Sequence, residues 1–251
     1  MITGVDRRIT MSVADRVASV VLAGRGGVNA MDMRFVEELD EAAAELTALA
    51  ARREIDVVVL RARGRHFCVG GDLDDMTSAP DVAAHIEVMT GHAHRGIEAL
   101  HRLPIPLVVG VQGAVAGAGL GLLLAGDIVV AERSARFVGS YGAAGLSPDA
   151  GVSWALPRSI GRARAVDMIL TNRKVSAEEM ERWGLVSRLV DDGDLDLGIA
   201  EVVGTLSAIW HDVLLQNKRL LTYGGPIGLH DQLADEAGTI GRLAAARDTM
   251  T

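Results

Sequence analysis

The feature that most constrains the fold is the alternation of short apolar runs with segments of helical periodicity. Residues 56–60, 107–111 and 128–131 are largely apolar runs of strand length. Such runs are typical of strands that are buried on both faces, as in parallel sheets. Residues 81–103 and 119–125 lie between them and have helical patterns. Because parallel strands need crossover connections, the sequence predicts an α/β protein with a mainly parallel sheet.

The N-terminal part predicts a hairpin followed by a helix. Residues 9–13 and 17–22 are apolar runs on either side of the polar turn at residues 14–16. In residues 32–51, apolar side chains recur at helical spacing, and Asp32 is placed to cap the helix N-terminus.

The C-terminal part changes from mixed to purely helical patterns. Residues 136–139 suggest one more short strand, Ser176 and Glu179 form a capping-box pattern, and Gly184 stands where a helix should end. No strand pattern follows residue 194. We therefore predict an α/β core over residues 1–194 and a helical module over residues 195–251, which packs on the core or on a neighbouring subunit.

Composition narrows the functional classes. Twenty-five Lys and Arg residues against 33 Asp and Glu give a net charge of −8, which argues against nucleic-acid binding and polybasic membrane binding. No apolar run is long enough to span a bilayer, and the start lacks a signal-peptide pattern. The single cysteine, Cys68, excludes an internal disulfide. These observations together predict a cytoplasmic enzyme without membrane or nucleic-acid partners.

Two glycine-rich segments, residues 66–76 and 113–121, each follow a predicted strand. Glycine lets the backbone approach a ligand closely, and a helix N-terminus supplies unpaired N–H donors with a favourable dipole. Together the two segments could bind an oxyanion. Neither fits a dinucleotide fingerprint or a phosphate loop, and the second alone fits tight helix-to-sheet packing equally well.

The order of these segments and their flanks resembles the enoyl-CoA hydratase/isomerase (crotonase) family over most of the chain. The matching segments are residues 28–31 (Val-Asn-Ala-Met), 66–76, 113–127, 145–151, 156–158, Gly161 and 183–186. The resemblance implies a crotonase-like spiral of ββα units with a C-terminal helical module. It also implies an acyl-CoA substrate, a homotrimer or hexamer, and no permanently bound cofactor, with coenzyme A as part of the substrate.

Carried over by position, the family's two oxyanion-binding N–H groups fall on Gly71 and Ala118. The two glutamates with which the family's hydratases add water fall on Gly121 and Tyr141, neither of which is a carboxylate. Hydration by the usual mechanism is therefore not expected. Asp149 lies where some family members, including isomerases, place a catalytic aspartate.

Asp149 could act as the single mobile base of a double-bond isomerisation. It would remove a proton next to the thioester carbonyl and return it further along the acyl chain. Its sequence neighbours are mostly apolar, so burial could raise its pKa towards the working range. The alternative is a helix N-cap, because a helix is predicted to begin nearby.

Two other functions stay open at this point. In an aromatic acyl-CoA dehalogenase of the family, the aspartate attacks the ring, with the help of a histidine and a tryptophan that align with His94 and Tyr141. Two observations weaken the dehalogenase hypothesis. Tyr141 replaces the tryptophan, and a histidine on a helix usually has a surface or packing role. A non-catalytic acyl-CoA binder that has lost the glutamates is the second alternative.

Coenzyme A binding is assigned to Arg25, Ala30, His66 and Lys218 through the resemblance. The acyl pocket is expected to depend on which residues of the 77–90 segment face inward. No metal site is predicted, because His92 and His94 point apart on a helix and Asp72, Asp74 and Asp75 lack the spacing of a calcium loop. We expect Cys68 to be structural.

Overall fold

The computed structural model describes residues 7–222 and 228–248. These residues form nine strands and ten α-helices. The strands are β1 (Ile9–Ala14), β2 (Val17–Leu22), β3 (Val57–Ala62), β4 (Leu107–Val111), β5 (Ala114–Ala116), β6 (Ile128–Glu132), β7 (Arg136–Val138), β8 (Val175–Ser176) and β9 (Arg188–Val190). The helices are α1 (Met33–Ala51), α2 (Leu73–Ser78), α3 (Val82–His101), α4 (Gly119–Leu124), α5 (Val152–Ile160), α6 (Arg162–Thr171), α7 (Ala177–Arg182), α8 (Leu195–Ser207), α9 (His211–Thr222) and α10 (Leu229–Asp248).

The main sheet has six strands in the order β1-β2-β3-β4-β6-β9, and every pair except β1–β2 is parallel. This arrangement confirms the predicted hairpin and the mainly parallel sheet. The hairpin turn consists of Asp15 and Arg16, both with positive φ, as a two-residue turn between right-twisted strands requires.

Helices cover both faces of the main sheet. On one face α1 and α3 pack together, and Asp32 caps α1 as predicted by accepting the Phe35 N–H at 2.8 Å. On the other face α8 packs against β3, β4 and β6. A Cβ atom on Gly110 of β4 would lie 2.4 Å from Ile199 of α8, so the glycine lets this helix approach the sheet. The first helix of the predicted C-terminal module thus packs on the core.

A second, three-stranded sheet has the order β5-β7-β8. It extends from the main sheet near the second glycine-rich segment, because β5 follows directly after β4. Of these strands only β7 was predicted, and α2 was not, because elements this short contain too few side chains to show a period. The predicted capping box of α7 is present, with Ser176 and Glu179 each bonded to the other's backbone N–H.

Within the described ranges no single helix has both the length and the hydrophobicity to cross a bilayer. Only α8 and α9 taken together meet that test, and the two are bent by 106°.

Candidate active site

The two glycine-rich segments pair with each other like short parallel strands. The Cys68 N–H donates to the Ala114 carbonyl at 3.3 Å, and the Ala116 N–H donates to the Cys68 carbonyl at 2.9 Å. This places Cys68 opposite Val115. The two backbones are still close at Gly70 and Gly117, since a Cβ atom on Gly117 would lie 3.7 Å from the Gly70 Cα. Gly71 and Ala118, the two predicted oxyanion-binding positions, directly follow these residues.

The backbone approach at this point is close because Gly70 has no side chain. A Cβ atom on Gly70 would lie 3.3 Å from the Ala118 nitrogen and 2.9 Å from the Ala116 oxygen. The N–H groups of Gly71 and Ala118 donate to no acceptor in the described part of the chain. Ala118 has φ −59° and ψ −20°, an ordinary right-handed conformation, so alanine is unstrained there. Two unpaired N–H donors, one from each glycine-rich segment, therefore lie beside this close contact between the backbones.

Gly71 and Ala118 both line a cavity of about 400 Å³, together with Tyr141 and Asp149. The wall is mainly aliphatic and methionine, formed by Met31, Val36, Val69, Leu73, Met76, Ile86, Met89, Ala93, Ala143, Ala144 and Leu146. Ile86, Met89 and Thr90 come from the 77–90 segment that was expected to shape an acyl pocket. Tyr141 and Asp149 are the ionisable residues among those lining it. The cavity thus combines an apolar wall with one carboxylate, as expected for a small-molecule site.

Asp149 is half-buried, and burial raises the pKa of its carboxyl. The Tyr141 phenol acts in the opposite direction and lowers this pKa. Tyr141 is buried, and its pKa is raised by burial and by the neighbouring Asp149 charge, so the phenol keeps its proton. The two groups influence each other without meeting hydrogen-bond geometry, because Tyr141 Oη and Asp149 Oδ1 have no hydrogen-bond partner within the described residues.

The alternative role of Asp149 as a helix cap is wrong. Helix α5 begins at Val152, its N-cap is Gly151, and no side chain caps it. Asp149 contributes only its backbone carbonyl, which accepts the Val152 N–H at 2.9 Å. The carboxylate is consequently free to face the cavity, and unpaired buried polar atoms of this kind call for an explanation in terms of function.

His94 and Gly121 lie behind Asp149. The Nε2 atom of His94 accepts the Ala150 N–H at 3.2 Å, and Gly121 packs against the same residue from α4. Neither lines the cavity that contains Asp149. They line a second, open cavity of about 1020 Å³, which also includes exposed Trp154.

The residues predicted to bind coenzyme A lie at different places. Arg25 is 73% exposed, and its guanidinium is 3.7 Å from the carboxylate of Asp32. Ala30 immediately precedes Met31, which lines the cavity. His66 joins the glycine-rich segments, because its Nδ1 accepts the Ala114 N–H at 3.0 Å. Burial and adjacent Arg65 lower the pKa of His66, which favours a neutral ring there.

Lys218 is buried and is not among the residues that line the cavity. Its ammonium donates to the Asp127 carboxylate at 2.6 Å and to the Ile105 carbonyl at 3.0 Å. Its charge is therefore already balanced within the chain, and it holds α9 against the ends of β4 and β6. No observation tests its predicted contact with coenzyme A, and the pairing with Asp127 favours a structural role.

Cys68 is fully buried between the two glycine-rich segments, and burial raises the pKa of its thiol to about 12. It is therefore a poor nucleophile at neutral pH. Over residues 7–222 and 228–248, no group of three or more His, Cys, Asp or Glu side chains is arranged to hold a metal ion.

Comparison with known proteins agrees with this architecture. The family model described as enoyl-CoA hydratase/isomerase matches residues 13–217. The 1,2-epoxyphenylacetyl-CoA isomerase of Escherichia coli (strain K12) is 39% identical over 167 residues. The match covers 64% of this chain and 63% of that protein, so the chain spans less than two thirds of this relative's length. The 4-chlorobenzoyl coenzyme A dehalogenase-2 of an Arthrobacter species is 30% identical over 205 residues, and the match covers 81% of this chain and 73% of that protein.

The solved structures point the same way. A Mycobacterium abscessus protein described as a candidate enoyl-CoA hydratase/isomerase superposes with a TM-score of 0.89 at 35% identity, covering 96% of this chain and 93% of that one. The predicted crotonase-like α/β fold is thereby confirmed. On the match over residues 13–217 and on these relatives, the chain belongs to the enoyl-CoA hydratase/isomerase family.

Proposed function

We propose that this chain isomerises a carbon–carbon double bond in an acyl-CoA thioester, with Asp149 as the acid and base. The observation that carries the proposal is the content of the cavity. Asp149 is the carboxylate among the described residues that line it, and the unpaired amides of Gly71 and Ala118 line it too. One mobile base and one oxyanion site are what a proton shift through an enolate needs.

The reaction would begin with the thioester oxygen accepting the Gly71 and Ala118 N–H groups. Asp149 would then remove a proton from the carbon next to the carbonyl, and the negative charge would move to the oxygen. Returning the proton to a carbon further along completes the shift. Preorganised donors matter here because loss of one such donor typically slows a reaction by about 10²–10³-fold.

Addition of water by two carboxylates is disfavoured by the packing around Gly121. A Cβ atom at this position would lie 2.3 Å from the Ala150 oxygen and 2.7 Å from the Ala150 Cβ. The site therefore has no space for the glutamate that hydratases carry there. At the second glutamate position, Tyr141 supplies a protonated phenol and not a base.

Coenzyme A would enter as part of the substrate and would not stay bound. Arg25, Ala30 and His66 belong to two segments that bond to each other, since the His66 N–H donates to Gly27 and the Asn29 amide donates to the His66 carbonyl. These segments continue into Met31 and Gly70, which line the cavity. We assign them to the coenzyme A entrance and leave Lys218 out.

A dehalogenase-like reaction is the second candidate, with Asp149 as the nucleophile. It is favoured by the contact of His94 with the residue after Asp149 and by the similarity to the Arthrobacter dehalogenase. Against it, His94 faces the second cavity, and its Nε2 atom already accepts a backbone N–H. Isomerisation is therefore the better supported reaction.

The test is to supply purified protein with a 3-enoyl-CoA and follow formation of the conjugated 2-enoyl thioester. We expect turnover, and we expect Asp149→Asn to lower kcat by about 10²–10⁴-fold, the usual contribution of a general base. Asp74→Asn is the matched control, because Asp74 is an exposed carboxylate on α2.

Other outcomes would select another function. Tight binding of the thioester without turnover would indicate a non-catalytic binder. Release of chloride from 4-chlorobenzoyl-CoA that depends on Asp149, without isomerisation, would indicate the dehalogenase-like reaction. Equal loss of isomerisation in Asp74→Asn and Asp149→Asn would remove the assignment of the base.

A further inference from the structure

We infer that His94 and Gly121 position Asp149 by holding the Ala150 peptide between α3 and α4. The inference rests on the proposed role of Asp149 as base. It also explains the glycine at position 121. A side chain there would displace Ala150 and with it Asp149, so a chain that uses Asp149 as its base cannot also carry a glutamate at position 121.

The need for such support is visible in the backbone. Ala150 has φ +51°, and Gly151 after it has φ +74°. A left-handed conformation is unfavourable for alanine, because its Cβ approaches the carbonyl oxygen. Residues of this kind persist where the surroundings fix them, and they cluster at functional sites. Here the strained residue directly follows the candidate base.

His94 fixes the N–H side of this residue. Its Nε2 atom accepts the Ala150 N–H at 3.2 Å, which requires the neutral ring with its proton on Nδ1. His94 lies on α3 between Ala93 and Ile97, whose side chains are buried, so the helix supporting the ring is anchored in the core. The ring does not line the cavity of Asp149. His94 is thus a positioning residue and does not touch the reacting atoms.

Gly121 fixes the other side. The Ala150 oxygen and Cβ lie 2.3 Å and 2.7 Å from the place where a Cβ on Gly121 would be. Both atoms occupy space that any side chain at 121 would need. Ala150 is consequently held by its N–H on α3 and by its oxygen and methyl group on α4, which leaves Asp149 little freedom to move.

Two substitutions of His94 separate positioning from proton transfer. Gln can place an amide oxygen near the position of Nε2 and accept the Ala150 N–H, but it cannot exchange a proton with substrate. Leu has similar bulk and no acceptor. With a 3-enoyl-CoA, we expect His94→Leu to lower kcat by about 10–100-fold with little change in KM, because small displacements of a catalytic group have effects of this size. We expect His94→Gln to restore most of kcat.

Gly121→Ala tests the other half of the clamp, and Gly204→Ala is its matched control. Gly204 lies on α8 with open space around its Cα. We expect Gly121→Ala to lower kcat by at least about 10-fold, while Gly204→Ala leaves it unchanged. Wild-type kcat in Gly121→Ala, or His94→Gln as slow as His94→Leu, would overturn the inference.

A readout independent of turnover keeps the inference separate from the proposed reaction. Hydrogen exchange of the Ala150 amide, followed by NMR, should be slow in the wild type and in His94→Gln and fast in His94→Leu. This result supports the clamp even if no 3-enoyl-CoA is isomerised, in which case only the proposed function fails. The same exchange rate in all three proteins would overturn the clamp whatever the activity.

Discussion

Two buried polar atoms without a partner in the described part of the chain lie on residues that line the same cavity. Asp149 Oδ1 and Tyr141 Oη have no hydrogen-bond partner among the described residues, whereas buried polar atoms are usually bonded. Burial disfavours the ionised form of Asp149 and so raises its pKa. A carboxylate with a raised pKa next to a cavity with free amide donors is a candidate base.

The raised pKa predicts the acidic limb of the pH profile. Asp149 must be deprotonated to act as a base, so kcat/KM should fall with decreasing pH at a higher pH than for an ordinary aspartate. The Tyr141 phenol lowers this pKa. Tyr141→Phe should therefore move the limb to higher pH. A limb that stays in place or moves to lower pH in Tyr141→Phe would contradict the coupling of the two groups.

The same shift predicts a gain in stability when the charge is removed. The pKa of Asp149 is higher in the folded state than in the unfolded state, so protonation of this carboxyl favours folding. This contribution to stability is lost as the pH rises from the unfolded-state pKa through the folded-state pKa. Asp149→Asn should then be more stable than the wild type at neutral pH, with the difference shrinking at acidic pH.

Urea unfolding of both proteins at neutral pH and near pH 3.5, about where the unfolded group titrates, measures this difference. The exposed Asp74→Asn variant, which should show no gain, is the control. An Asp149→Asn variant that is less stable than the wild type at neutral pH would indicate that the carboxylate has a stabilising partner.

Among the secondary-structure elements, α9 is fixed to the core by an ion pair that is buried on the lysine side and partly exposed on the aspartate side. Lys218 on α9 is 4% exposed and pairs with Asp127, which precedes β6 and is 20% exposed. Asp127 also accepts the Leu107 N–H at 2.7 Å, so one carboxylate joins α9, β4 and β6. Loss of Lys218 would leave the Asp127 carboxylate and the Ile105 carbonyl without their lysine partner, although Asp127 would keep the Leu107 N–H.

We therefore expect Lys218→Met to reduce the free energy of unfolding by about 1–3 kcal/mol, the cost of leaving a partly buried polar group without its partner, and to leave KM for the acyl-CoA unchanged. Lys174→Met, which removes an exposed lysine, is the control. Denaturant titration and steady-state kinetics measure both quantities. A raised KM with unchanged stability would instead support the predicted contact with coenzyme A.

At the scale of the whole molecule, α10 is less covered than the rest of the chain. Leu229, Leu233 and Ile240 on this helix are 74%, 54% and 70% exposed. Exposed apolar side chains grouped on one element are typical of contact surfaces. They are consistent with the homotrimer or hexamer implied by the family resemblance, which stays a prediction.

Sedimentation velocity should accordingly give a trimer or a hexamer at micromolar concentration. Replacing Leu233 and Ile240 with glutamate should shift the distribution towards smaller species, because two charges would have to be buried at the contact. A wild-type protein that sediments as a monomer at all concentrations would refute the predicted assembly.

The sequence by itself determined those parts of the protein that depend on neighbours in the chain. Periodicity, turn residues and caps define the hairpin, α1, the buried strands β3, β4 and β6, and the capping box of α7, because each has a pattern that is complete within one short stretch of sequence. The motif order also identified the two glycine-rich segments and Asp149 as the places to look for chemistry.

The surroundings of these candidate residues, and hence their chemical roles, became visible only in the folded chain. The lack of space for a side chain at Gly121 and the pairing of Lys218 with Asp127 are set by segments far apart in sequence. The pairing of Cys68 with Val115, which brings the two glycine-rich segments together, is of the same kind. The physical reason is that burial, charge pairing and close approach depend on which distant segments pack together, and a local pattern does not contain that information.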